Sequence, residues 1–316
     1  MNTDKSLRLA YVCMILNAVI IGFSFLFTKM ALAQASPIDT LAFRFAASFG
    51  VMSIPVAFGW VKLNYRGKPL YKALLLAAMY PLGFFAFQAF GLQHATSAEG
   101  GILFAFTPVI TAALASIFLK ETTTGLQKLS IFLSVFGVAF IFVMKGGGFE
   151  LSSTLGILLL ILSSLASAGY SVLARSLMKA YTPAEISYFM LGVGFVSFLV
   201  ISLVDHTSSG TVDVLLEPLS DGFFILSVLY LGIMSSLVTA LTSNYALSKI
   251  EASRMSVFNN LATIVSIAAG AIFLGEDVTV YHLIGSLLII AGVLGTNLLG
   301  RKKSAGTVKQ PSSVDV

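Results

Sequence analysis

Four residues, Phe118-Leu119-Lys120-Glu121, return 155 positions later as Phe273-Leu274-Gly275-Glu276, each time between two apolar runs of membrane length. The same offset carries Ile117, Gly137 and Val138 onto Ile272, Gly292 and Val293, and Phe90 and Leu92 onto Tyr245 and Leu247. Nearer the start of each half the offset is 146, so Ser36-Pro37, Asp39, Phe43 and Phe49 fall on Thr182-Pro183, Glu185, Phe189 and Phe195, and Lys29 on Arg175. A loop nine residues longer near 205–221 accounts for the difference. Apolar residues match by chance easily; an ordered set that includes charged members does not. The chain is a duplication, and both halves must fold to one plan.

With 57% hydrophobic and only 10% charged residues in 316, the chain has too little polar surface to cover a soluble globule. Ten apolar stretches lie close to the roughly 20 residues a spanning helix needs: about 10–31, 38–60, 73–92, 99–119, 129–144, 154–174, 184–204, 223–247, 255–274 and 279–299. They are continuous and not alternating, which excludes a β-barrel, and backbone satisfaction in lipid makes them helices. The predicted fold is an all-α integral membrane protein of ten transmembrane helices. Five per half is an odd number, so the second half enters from the opposite side and the two five-helix repeats are inverted. The predicted units are 9–145 and 153–300, joined at Lys145-Gly146-Gly147-Gly148-Phe149-Glu150, with a disordered cytoplasmic tail over 301–316.

Charge placement sets the topology. With a cytoplasmic N-terminus, 16 Lys and Arg lie inside and only Lys29 and Lys145 outside, with Arg44 in the membrane. This bias puts both termini in the cytoplasm, and it explains the net charge of +5 without nucleic acid. The first apolar run lacks a small-residue cleavage site and reads as a retained helix. Cys13 is the one cysteine and the three histidines are scattered, so neither a disulfide nor a metal or cofactor site is expected. The glycine run at 146–148 lacks the Gly-Lys-Ser/Thr ending of a phosphate loop. Ser36-Pro37 and Thr182-Pro183 each set a cap residue before a proline at the first helical position, with Asp39 or Glu185 in the first turn.

Gly22-Phe23-Ser24 with Lys29, Arg44-Phe45, Pro108 and the doubled Phe118-to-Glu121 segment resemble the drug/metabolite transporter superfamily, specifically members built from two EamA domains. The resemblance spans nearly the whole chain. It implies movement of a solute, often efflux of amino acids or other metabolites, and names no solute.

Arg44 is the clearest anomaly, because an arginine at the centre of a span costs roughly 2.5 to 3.5 kcal/mol on insertion scales. It could hold an anionic group of a solute, pair with Glu99, or snorkel to the outer head groups. Its repeat counterpart is Met190. Asn17, Gln88, Asn244 and Asn259, with Tyr80 and Tyr170, are the other pathway candidates, weighed against ordinary interhelical hydrogen bonding. Glu121 and Glu276 are expected to be structural, each accepting N–H groups that open the next helix. Pro55, Pro81 and Pro108 are hinge or packing bends.

The sequence thus predicts a secondary transporter of the cell membrane that exports or exchanges a small polar metabolite, amino acid or similar, by alternating access. Its partners are the solute and the lipid bilayer, with a homodimer left open. A nucleotide-sugar or organic-phosphate antiporter is the nearest alternative, although several converging cations would be expected there. A receptor or scaffold would need a soluble domain, and no nucleophile-and-base set supports an intramembrane enzyme.

Overall fold

The computed structural model describes residues 2–94, 103–144, 154–274 and 278–299, and these are helical with no strand. The glycine-rich boundary at 145–150, Glu99, Glu276 and the tail at 301–316 lie outside the described residues. In chain order the helices are α1 (Asn2–Leu32), α2 (Pro37–Ala57), α3 (Leu70–Ala77, Ala78–Gly83 and Phe84–His94 in series), α4 (Leu103–Phe118), α5 (Gly125–Met144), α6 (Thr154–Leu177) and α7 (Pro183–Ser209). There follow α8 (Gly222–Leu229, Tyr230–Val238 and Thr239–Lys249 in series), α9 (Ala252–Ser256, Val257–Asn260 and Leu261–Leu274) and α10 (Val280–Leu298).

Eight helices among the described residues are long and apolar enough to cross a membrane, and the apolar stretches Leu103–Phe118 and Gly125–Ile141 are shorter. The all-helical membrane fold is therefore met, and full length is reached by eight of the ten expected spans. Phe118, Phe132, Leu287 and Leu298 are each more than 60% exposed. Such a surface suits contact with lipid.

The halves interleave. α1 packs on α8 and α9, while α6, its repeat counterpart, packs on α3 and α4. The first helix of each half is thus seated on the third and fourth helices of the other. α5 and α10 form a second paired contact, and glycine decides its closeness. A Cβ on Gly137 would stand 2.7 Å from the Gly285 carbonyl, and one on Gly292 would stand 2.5 Å from the Ser130 carbonyl. Subtracting 155 from 285 and 292 gives 130 and 137, so these are one contact seen twice.

α2 and α7 make a third pair, and two acids fix it. Ser36 caps α2 by accepting the Asp39 N–H at 3.1 Å. The Asp39 carboxylate then accepts Ser36 Oγ–H at 2.7 Å and Ser202 Oγ–H at 2.5 Å, and lies 3.2 Å from His206 Nε2 near the far end of α7. At the opposite end, Thr182 and Glu185 form a reciprocal capping box on α7. Glu185 also accepts the Asn64 N–H at 3.0 Å and Lys68 Nζ–H at 2.5 Å, both from the segment after α2. Start meets end at both joints, so α2 and α7 run antiparallel. Tyr65 donates its hydroxyl to the Glu185 carbonyl at 2.9 Å. Burial, reinforced by the Glu185 carboxylate, pushes its phenol well up, so it stays a donor at ordinary pH.

Candidate functional site

Both third helices depart from regular α geometry, and at matching places. In α3 the residue before Pro81 leaves the helical region, with Tyr80 at φ −145° and ψ 117°. Pro81 has no N–H and its ring would clash with the preceding turn, so the ladder cannot run through it. In α8 the chain widens into a π-helix over Tyr230–Val238. Moving Ala78–Gly83 by 155 gives 233–238, inside that segment. Irregular helix at membrane depth is tolerated where protein buries it or a cavity adjoins it, and it frequently marks a site.

Arg44 lies against the π segment of α8. It is only 7% exposed. Its Nε donates to Ser236 Oγ at 2.6 Å, and its Nη2 donates to Ser235 Oγ at 3.1 Å and to the Ser235 carbonyl at 3.4 Å. The guanidinium carbon stands 4.6 Å from the centre of the Phe85 ring, a cation–π arrangement. Snorkelling to the head groups is thereby overturned, since the side chain turns inward to α8 and α3. Close approach is permitted by Gly232, where a Cβ would meet the Arg44 carbonyl at 2.7 Å.

Beside this group lies a void of about 10 Å³, room for one water, lined by Phe45, Tyr80, Phe85, Met190, Leu191 and Ser236 together with Pro81 and Ala240. The lining is built from repeat-related positions. Phe45 and Leu191 are 146 apart, and Pro81 with Ser236 and Phe85 with Ala240 are each 155 apart. Met190 answers to Arg44, and Tyr80 to Ser235. The void therefore sits where the two halves meet as equivalents.

Tyr80 connects it to a second layer. Its ring stacks on Tyr170 of α6 at 4.8 Å, and the Tyr170 hydroxyl donates to Asn244 Oδ1 at 3.1 Å. Asn244 is fully buried and donates in turn to Ser187 Oγ at 3.0 Å. Of the predicted pathway residues, Arg44, Tyr80, Tyr170 and Asn244 are thus brought to one region. Asn17 works elsewhere, joining α1 to α8 by donating to Ser243 Oγ and accepting from Thr242 Oγ1. Gln88 is half-buried on the last piece of α3, and Asn259 half-buried in the 3₁₀ turn of α9. The neighbour of Asn259, Asn260, makes the helix-to-helix bond, donating to Ser134 Oγ at 3.0 Å. Ser235, Ser236 and Phe85 escape a search for isolated polar residues. The 155 offset from Tyr80 and Pro81 would have found both serines.

Glu121 joins the repeats at a different place. It accepts the N–H groups of Ala252 and Ser253 at 3.0 and 3.2 Å, and Ser253 Oγ–H at 2.7 Å. The helix it opens is α9 and not the adjacent α5, because interleaving sets α4 against α9. Pro108 falls in the first turn of the regular piece Thr107–Phe118, and Pro55 is the third residue from the end of α2. No group of three or more His, Cys, Asp or Glu that could hold a metal occurs among the described residues.

The comparisons agree with this architecture. The model of the EamA-like transporter family matches residues 8–143 and again 154–298. An uncharacterized transporter of Bacillus subtilis, YcxC, is 47% identical over 295 residues, covering 93% of this chain and 95% of that one. A probable terminal-alkyne amino-acid exporter of Streptantibioticus cattleyicolor is 24% identical over 262 residues, covering 81% and 84%. A solved crystal structure superposes with a TM-score of 0.76 at 18% identity, over 92% of this chain and 96% of the other, and shares the fold. With both halves matched and a close relative aligned almost end to end, the chain belongs to the EamA-like transporter family.

Proposed function

We propose that this transporter exports or exchanges a small polar metabolite across the cell membrane by alternating access between two inverted five-helix repeats. The units are 9–145 and 153–300, with ten spans and both termini cytoplasmic. The observation that carries the reading is the void between the broken α3 and the π-widened α8, lined by repeat-related residues, two of which, Phe85 and Ser236, contact the buried Arg44. In transporters built from inverted repeats, the solute site lies at the repeat interface near the midplane, beside helices that break there. The antiparallel α2–α7 pair supports inversion, and the twice-seen α5–α10 contact supports a two-fold relation. A void of this size corresponds to a closed state, so transport requires α3 and α8 to move apart. An amino-acid exporter among the relatives favours that solute class.

The test is flux in proteoliposomes. A pooled panel of labelled amino acids, organic acids and nucleosides is offered with and without an imposed proton gradient. Flux above protein-free vesicles supports the reading, and its response to the gradient separates coupled transport from exchange or facilitated diffusion. Folded protein that moves nothing from the panel, whichever side it is offered on, counts against it.

A further inference from the structure

We infer that Arg44 is the recognition group for a carboxylate on the transported solute, an inference that rests on the transporter reading above. An arginine stays charged at any physiological pH, and a charge taken out of water is retained only where something compensates it. Here the described protein offers neutral oxygens from Ser235 and Ser236 and the face of Phe85. No carboxylate among the described residues forms an ion pair with it. Those acids are engaged or remote: Asp39 with His206, Glu185 with Lys68, Glu251 with Arg254, and Glu121 on the start of α9. Asp205, Asp213, Glu217 and Asp221 lie at the end of α7 and in the loop before α8.

Packing does not explain the cation either. Met190 occupies the repeat-related position and is 2% exposed, so the shared plan is satisfied there by an apolar side chain. Ser235 and Ser236 engage the Nε and Nη2 atoms, and no bond to Nη1 occurs among the described residues. Nη1 thus keeps its N–H donors for a carboxylate oxygen, a charge-assisted hydrogen bond. The void, which Arg44 adjoins through Phe85 and Ser236, is otherwise lined by Phe45, Tyr80, Pro81, Met190, Leu191 and Ala240, which suits an apolar body attached to that carboxylate. The solute class is therefore a small monocarboxylate with an apolar part, apolar amino acids included. A phosphate would ask for more than one cation.

The experiment compares two labelled panels in proteoliposomes: apolar amino acids and monocarboxylic acids, and the amides and amines made from the same skeletons. Wild-type protein should move the acids at least about tenfold faster than the matched amides, as expected where a site hydrogen-bonds one group specifically. Arg44→Met, which copies the other half, should lose that preference by about tenfold or more, and Arg44→Lys should keep part of it. Glu99→Gln should leave the preference unchanged, whereas its loss there would make Glu99 the partner of Arg44 and overturn the inference. If wild-type protein carries amides and amines as fast as acids, the inference fails while the transporter reading stands. If neither panel moves although the protein is folded, the transporter reading fails and takes the inference with it. Should Arg44→Met not fold, the wild-type ratio and the Arg44→Lys variant still decide.

Discussion

Replacing Glu121 tests the most specific joint between the halves. Its carboxylate satisfies two N–H groups and one hydroxyl at the start of α9, at 3.0, 3.2 and 2.7 Å. A hydrogen bond to a charged group contributes about 1.5–3 kcal/mol, and loss of a helix cap costs about 1 kcal/mol. Glu121 is half-exposed, so water replaces part of what is lost and the sum must be discounted. We expect Glu121→Ala to destabilise the protein by roughly 2–4 kcal/mol on those magnitudes. Glu121→Gln keeps an acceptor oxygen and should lose about half as much. The assay is reversible unfolding in detergent micelles, paired with hydrogen exchange at Ala252 and Ser253, whose amides should exchange faster. Flux per folded molecule should respond to a proton gradient as wild type does. A Glu121→Ala variant within about 0.5 kcal/mol of wild type would refute the capping argument. So would a fully stable Glu121→Gln variant that had lost its response to the gradient, since that is the signature of a proton carrier.

Three further perturbations follow from single contacts. Lys120 has φ +54°, and its repeat counterpart is Gly275, so Lys120→Gly should raise stability by up to about 1 kcal/mol in the same unfolding assay. Gly292→Val drives a side chain into the Ser130 carbonyl and the Ser134 amide, each 2.5 Å from a bare Cβ, and should cost about 3 kcal/mol or more, read as lost folded protein after purification. Lys68→Met removes a cation from the nearly buried Glu185 carboxylate, whose side chain is 4% exposed, and should destabilise by about 2 kcal/mol or more. Adding Glu185→Gln to Lys68→Met should restore part of that loss, because no unpaired charge then remains.

Much of the architecture was legible because membrane folding leaves few choices. Apolar length gives helices, and the offsets of 146 and 155 pair Asp39 with Glu185 and Gly137 with Gly292 before any contact is known. What could not be read was which copy of an element faces which. Glu121 looks as if it should cap the next helix, since a cap is usually local. It caps α9 because the halves interleave, and interleaving is a property of assembly and not of either half alone. The site divides in the same way. Arg44, Tyr80, Tyr170 and Asn244 stand out as polar residues in apolar surroundings. Asn17 stands out equally, yet its side chain bonds Ser243 and Thr242 in the α1–α8 contact, and no local signal separates the two cases. Ser235 and Ser236 were hidden by their ordinariness, because a serine satisfies itself on its own helix and costs little in a span.

The departures from symmetry are not spread evenly. At several structural joints the repeat preserves chemical class: Ser36 and Thr182, Asp39 and Glu185, and Gly137 and Gly292. Around the void it differs more, for Arg44 answers to Met190, Tyr80 to Ser235, Pro81 to Ser236 and Phe85 to Ala240, while Phe45 and Leu191 are both apolar. Packing two copies of one plan asks the same of both at these joints, which accounts for those pairs being alike. A small metabolite has no two-fold axis of its own. A site placed on the axis of the repeats can recognise it only if the two copies differ there, one supplying the cation and the aromatic face, the other the hydroxyls and the small residues. Alike pairs at these joints around a centre where the copies differ are the pattern that the proposed solute site calls for.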